Sequence, residues 1–130
     1  ELEEYALMLG ADCPFFIDNI PKYVKGIGEK MNTIDLDLSC YEIRLLNPKI
    51  HISTKESYSE VVPKIPELSV EEIIKFPIKD WKSKLKNDFE FSAFAKYPEL
   101  VKIKKKFYED GAIYSSMTGS GSVVFGIFEK

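Results

Sequence analysis

The stretch Ile113-Tyr-Ser-Ser-Met-Thr-Gly-Ser-Gly-Ser-Val-Val-Phe-Gly-Ile-Phe128 decides how the rest of the chain can fold. Two strand-like runs, 113–117 and 123–128, flank a loop with glycines at 119 and 121, a pattern that reads as an antiparallel hairpin. The second run is apolar on both faces, which predicts a central strand. Its loop alternates glycine with small hydroxyl residues. Glycine admits positive φ and lets backbone N–H groups turn toward an anion, so such a loop can cradle phosphate. It can equally be an ordinary glycine hairpin, and Gly-Ser-Gly alone does not separate the two. No Gly-Lys-Ser/Thr follows, so it is not a Walker A loop. Nor is it a dinucleotide fingerprint, because Val124 stands where a third glycine is needed.

Upstream of the hairpin the apolar spacing turns helical. Pro98 opens a helix that Gly111 ends, with Leu100, Ile103 and Phe107 inward and Lys102, Lys105 and Lys106 toward water. Asn87-Asp-Phe-Glu90 begins another, with Asn87 as its cap and Phe89, Ala93 and Phe94 as core. After Pro77, Ile78, Trp81 and Leu85 share a helix face, and Ser69-Val-Glu-Glu72 is a capping box. Thr54 starts a short helix carrying Tyr58. Before it, Tyr41, Ile43 and Leu45 alternate with Glu42 and Arg44, which predicts a strand with one face buried.

The earliest segments are shorter. Lys22–Ile27 and Asn32–Leu38 read as edge or hairpin strands around Gly26-Ile-Gly-Glu29. Leu2, Tyr5, Ala6 and Leu9 fall at helical spacing, with Glu1, Glu3 and Glu4 in the first turn where the helix dipole favours acids, and Gly10 stops the helix. Helix, strands, helices and a closing hairpin, without βαβ alternation, predict an α+β fold: a mainly antiparallel sheet with helices packed on one face.

Composition narrows the function classes. The 130 residues are 45% hydrophobic, enough for one domain-sized core. Eighteen basic against 21 acidic side chains leave a net charge of −3, which gives no attraction to nucleic acid or an anionic membrane, so an anionic ligand must be held locally. Cys13, Cys40 and the single His51 cannot make a zinc site of ordinary spacing. No metal ligands are expected from the chain. With no signal-like segment and no run of 18 apolar residues, a reducing, cytoplasmic setting is expected.

One acid stands out. Asp12, in Leu9-Gly-Ala-Asp-Cys-Pro-Phe-Phe16, lies between a helix end and a proline that can begin a new turn. Such an aspartate is either an N-cap or a catalyst, and the local pattern alone favours the cap. Cys13 beside it reads as a small core residue and not as a nucleophile, since no histidine lies nearby in sequence.

Leu9-Gly-Ala-Asp-Cys-Pro-Phe-Phe16, Gly26-Ile-Gly-Glu29, Ile52-Ser-Thr-Lys-Glu-Ser-Tyr58, Asn87-Asp-Phe-Glu90 and Met117-Thr-Gly-Ser-Gly121 follow one another in an order that resembles the GHMP kinase family. That resemblance implies that residues 1–38 are the end of an N-terminal kinase domain and residues 39–130 a GHMP kinase C-terminal domain, ferredoxin-like in fold. A first domain with a catalytic lysine and a phosphate loop is then missing. The fragment alone would be inactive, and its opening helix, lacking packing partners, could be displaced or exchanged in a homodimer.

The implied reaction moves the γ-phosphoryl group of ATP, with Mg²⁺, to the 2-hydroxyl of a cytidyl diphosphate methylerythritol, a step of non-mevalonate isoprenoid synthesis. Asp12 matches the family's catalytic acid. Thr54 falls on a substrate-side threonine and Tyr58 on a ring that stacks on cytosine, against the plainer readings of an N-cap and a buried ring. Gly119, Ser120 and Gly121 match a motif that supports the phosphate region. Two alternatives stand beside this reading: a relative with another alcohol substrate, and a non-catalytic α+β module that binds a small ligand or RNA.

Overall fold

The computed structural model describes residues 2–130, and the acidic first-turn position expected of Glu1 lies outside the described residues. The chain forms two units, one ending at Asp37 and the other spanning Leu38–Lys130.

In the first unit, helix α1 (Leu2–Leu9) ends where the Gly10 N–H meets the Ala6 carbonyl at 3.2 Å. Its apolar stripe is largely open: Ala6 is buried, while Leu2 and Leu9 stay 70% and 85% exposed. Four-residue α2 (Phe15–Asp18) follows and ends at Asn19 in the left-handed conformation, where asparagine is tolerated. Strands β1 (Lys22–Lys25) and β2 (Lys30–Thr33) pair antiparallel, Lys25 opposite Lys30, across the turn Gly26–Glu29. The second strand is shorter than the alternation of residues 32–38 predicts. The Ile34 N–H bonds to the Pro21 carbonyl at 3.1 Å, which closes the ladder.

The second unit is built on the closing hairpin. Strands β3 (Tyr41–Leu46), β4 (Tyr114–Met117) and β5 (Val124–Glu129) form an antiparallel sheet in the order β3-β5-β4, so β5 is central, as its two apolar faces require. Between β3 and β4 run α3 (Thr54–Glu60), α4 (Val70–Ile73), α5 (Ile78–Lys84), α6 (Glu90–Lys96) and α7 (Pro98–Glu109). The predicted α+β fold of helices on an antiparallel sheet is the one observed.

Helix α7 packs on the hairpin through Leu100 and Phe107, and Leu100 and Val124 are fully buried. Phe107 meets Phe128 edge-on at 6.1 Å. That approach needs Gly126, because a Cβ there would lie 2.9 Å from Cδ1 of Phe107. At β4, Trp81 of α5 meets Tyr114 edge-on at 5.7 Å, and the Tyr114 hydroxyl donates to the Leu85 carbonyl at 3.1 Å. Burial pushes that phenol up to about 12. The capping box forms as read: Glu72 Oε2 accepts from the Ser69 N–H at 2.7 Å, and Ser69 Oγ from the Glu72 N–H at 3.2 Å.

Strand β3 departs from its sequence reading. It pairs with β5 as expected, Ile43 opposite Ile127, but Ile43 and Leu45 are 50% and 68% exposed. Period-two alternation shows which side chains share a face, not whether another layer covers it. On the polar side of β3, the Arg44 guanidinium stacks 4.1 Å above the Phe128 ring and forks onto the Glu42 carboxylate.

Candidate functional site

Asp12 does not cap a helix. The residue before α2 is Pro14, which makes no side-chain cap, and Asp12 takes part in the turn only through its carbonyl, 3.3 Å from the Phe15 N–H. Its side chain is exposed and has no hydrogen-bond or ion-pair partner among the described residues. The preference for a cap drawn from local pattern is thus overturned: the Gly10–Pro14 turn closes with backbone bonds, Gly10 carbonyl to Cys13 N–H at 3.1 Å among them. Cys13 itself is half-buried.

The hairpin turn of the same unit comes up against Asp12. Gly26 and Gly28 take φ values of +71° and +113°, and Glu29 folds its carboxylate back to accept the Ile27 N–H at 2.7 Å. These backbone N–H bonds hold the Glu29 carboxyl below the usual carboxylate range. A Cβ on Gly28 would stand 2.7 Å from Oδ1 of Asp12.

In the second unit Thr54 and the glycine loop meet. Thr54 is the first residue of α3, but the cap is Ser53, whose Oγ accepts from the Glu56 N–H at 3.5 Å. The Thr54 hydroxyl is left to lie 3.4 Å from that of Ser120. Ser57 Oγ donates to the Ser120 carbonyl at 3.4 Å, which ties the helix to the loop a second time. Tyr58 is not a buried ring: it is 66% exposed, with its edge contact to Phe89 at 5.0 Å leaving most of the ring open. Lys96 of α6 pairs with both Glu56 and Glu60 of α3, and these bonds raise its pKa and lower that of Glu60.

The loop from Thr118 to Val123 is a real turn. Thr118 N–H bonds to the Val123 carbonyl at 2.8 Å and Gly121 N–H to the Thr118 carbonyl at 3.0 Å. The adjacent N–H groups of Gly119 and Ser120 have no partner among the described residues. Gly119 and Gly121 have φ of +52° and +103°, and the space beside Gly119 is open.

Sequence reading missed what holds this loop. Asn87, taken for a helix cap, sits three residues before α6. Its Oδ1 accepts from the Phe89 N–H at 3.0 Å, while Nδ2 donates to the Met117 and Gly119 carbonyls, each at 2.8 Å. Glu90 grips the same place, its Oε1 accepting from the Met117 N–H at 2.8 Å and the Ser116 hydroxyl at 3.1 Å, while Lys104 pairs with Oε2 at 2.6 Å. An asparagine just before a helix has the composition of a cap, and no sequence signal announces a bond thirty residues away.

The fold finds its counterpart in a kinase of known structure. Residues 69–130 match the family described as GHMP kinases C terminal. Over its whole length the chain resembles 4-diphosphocytidyl-2-C-methyl-D-erythritol kinases. It is 48% identical over 130 residues to the protein of that name from Parabacteroides distasonis, covering 100% of this chain and 48% of the relative. The Azobacteroides pseudotrichonymphae relative of the same name is 51% identical over 131 residues, 100% of this chain and 49% of the relative. A crystal structure of 4-(cytidine 5'-diphospho)-2C-methyl-D-erythritol kinase superposes with a TM-score of 0.82 at 29% identity, over 98% of this chain and 47% of that one. The chain therefore spans about half the length of the curated relatives it matches.

Proposed function

We propose that this chain is the acceptor-side half of an ATP-dependent kinase that phosphorylates the 2-hydroxyl of 4-diphosphocytidyl-2-C-methyl-D-erythritol. The names of relatives 48% and 51% identical along its length support the substrate. The observation that carries the role of Asp12 is its carboxylate, exposed and without a partner among the described residues. An alcohol is a poor nucleophile, and a carboxylate in hydrogen-bond reach can orient it and take its proton. Residues up to about 38 would be the end of the N-terminal kinase domain, and the rest of that domain would supply the phosphate loop and lysine. Exposed Leu2 and Leu9 would pack there, or against a second copy.

The residues present fit a nucleotide's phosphates in one respect. The unpartnered N–H groups of Gly119 and Ser120, with the open space beside Gly119, are donors an anion could use. Bound ATP would supply the phosphoryl group and Mg²⁺ would offset its charge. Thr54 would hydrogen-bond the acceptor, and the open face of Tyr58 would receive the cytosine. The whole enzyme would work in the cytoplasm.

In the whole enzyme, Asp12→Asn should lower phosphorylation of the cytidyl acceptor by about 10²- to 10⁴-fold without altering thermal unfolding. Retained activity would remove Asp12 from the mechanism. Tyr58→Ala should raise KM for the cytidyl acceptor by roughly 5- to 150-fold, the worth of one stacked base. Equal losses on cytidine-free alcohols would instead favour the family's other alcohols as substrates.

A further inference from the structure

Nothing polar among the described residues anchors the Asp12 side chain, so its position must be set by shape. The shape comes from the neighbouring hairpin turn. The site of a Cβ on Gly28 lies 2.7 Å from Oδ1 of Asp12 and 3.3 Å from the Ala11 Cβ. The carboxylate therefore occupies space that any other residue at position 28 would need. We propose that Gly28 is the positioning residue for the Asp12 carboxylate, and that the Gly26–Glu29 turn is the wall against which that carboxylate is set. The inference rests on the reading of Asp12 as the proton acceptor.

Two different demands call for glycine here, and the molecule separates them. One is backbone: φ of +113° is unfavourable to any residue with a Cβ. Gly111, which ends α7, shares that demand with φ of +98°, but a Cβ there would meet nothing within 4 Å. The other demand is steric and belongs to Gly28. The atom in the way is the tip of a flexible, exposed side chain, so the cheapest response to a methyl group is for the carboxylate to swing aside while the fold persists. Ordinary van der Waals contact would need it to retreat by about 0.7 Å. Displacement of a reacting group on the order of 1 Å can cost about 10²-fold in rate.

The rest of the turn is stiffened to serve as a wall. Glu29 accepts the Ile27 N–H, and its carboxylate fills the space over Gly26, where a Cβ would collide with Oε2. Because backbone N–H bonds hold its carboxyl below the usual range, it remains an anion throughout the neutral range. Removing that carboxylate should let the wall move without straining Gly28.

The test is kinetic, in the whole enzyme, with Gly28→Ala compared against Gly111→Ala. Both should lower thermal stability by similar amounts. Gly28→Ala alone should lower kcat, by roughly 10- to 100-fold, with KM for ATP and for the acceptor unchanged. In an Asp12→Asn background, Gly28→Ala should cause no further loss. Equal kcat for the two alanine variants, or the same added loss with and without Asp12, would overturn the inference. If Gly28→Ala does not fold, Glu29→Ala replaces it, with a several-fold fall in kcat at unchanged KM expected and wild-type kinetics overturning the proposal. Full activity of Asp12→Asn would instead be the failure of the reading on which it rests, and that variant is measured first.

Discussion

The two units of this chain are held together by different physics. Among described residues up to Asp37 only Ala6 is buried, and order there comes from short-range backbone bonds, left-handed turn residues and close approach at Gly28. The unit from Leu38 onward has a packed core in which Leu100, Met117 and Val124 are at most 2% exposed. The proposed proton acceptor lies in the sparsely packed unit and the hydroxyl-lined loop in the well-packed one. A small open unit can place a carboxylate by steric exclusion, whereas a loop with positive φ at two glycines is bonded to a core that keeps its shape.

Leu100→Ala is the change expected to break the comparison most severely. Deleting a fully buried leucine should cost about 2–5 kcal/mol in chemical denaturation. A cost below about 1 kcal/mol would mean that the second unit has no continuous core. Asn87→Asp ranks next. It keeps the acceptor for Phe89 N–H but removes both donors to the Met117 and Gly119 carbonyls, so stability should fall by roughly 1–3 kcal/mol. Amide exchange at Gly121 should quicken with it, and unchanged protection there would show that Asn87 does not hold the loop. Leu9→Gln is the smallest. With Leu9 85% exposed, the chain of residues 1–130 should change by no more than about 0.5 kcal/mol. A larger loss would show that α1 buries its stripe in solution, which would undo the contrast between the units.

Legibility followed the range of the interaction. The capping box at Ser69, the proline start of α7 and the central position of β5 were readable because each depends on residues a few places apart or on a run's own polarity. Asp12, Thr54 and Tyr58 were open to two readings each, and in each case the local one fails: Pro14 precedes α2 without a side-chain cap, Ser53 caps α3, and the Tyr58 ring is exposed. Asn87 was misread because its cap-like composition concealed a partner on β4.

By itself, the sequence determined the antiparallel α+β class, the order of its elements and, through its motif strings, its likeness to the kinases, since these depend on polarity period and residue identity along the chain. Only the tertiary structure decided that β3 leaves Ile43 and Leu45 uncovered, that Asn87 and Glu90 clasp the glycine loop, and that Gly28 backs onto Asp12. Those facts depend on which surfaces meet across distant parts of the chain, and pattern along the chain carries no measure of that distance.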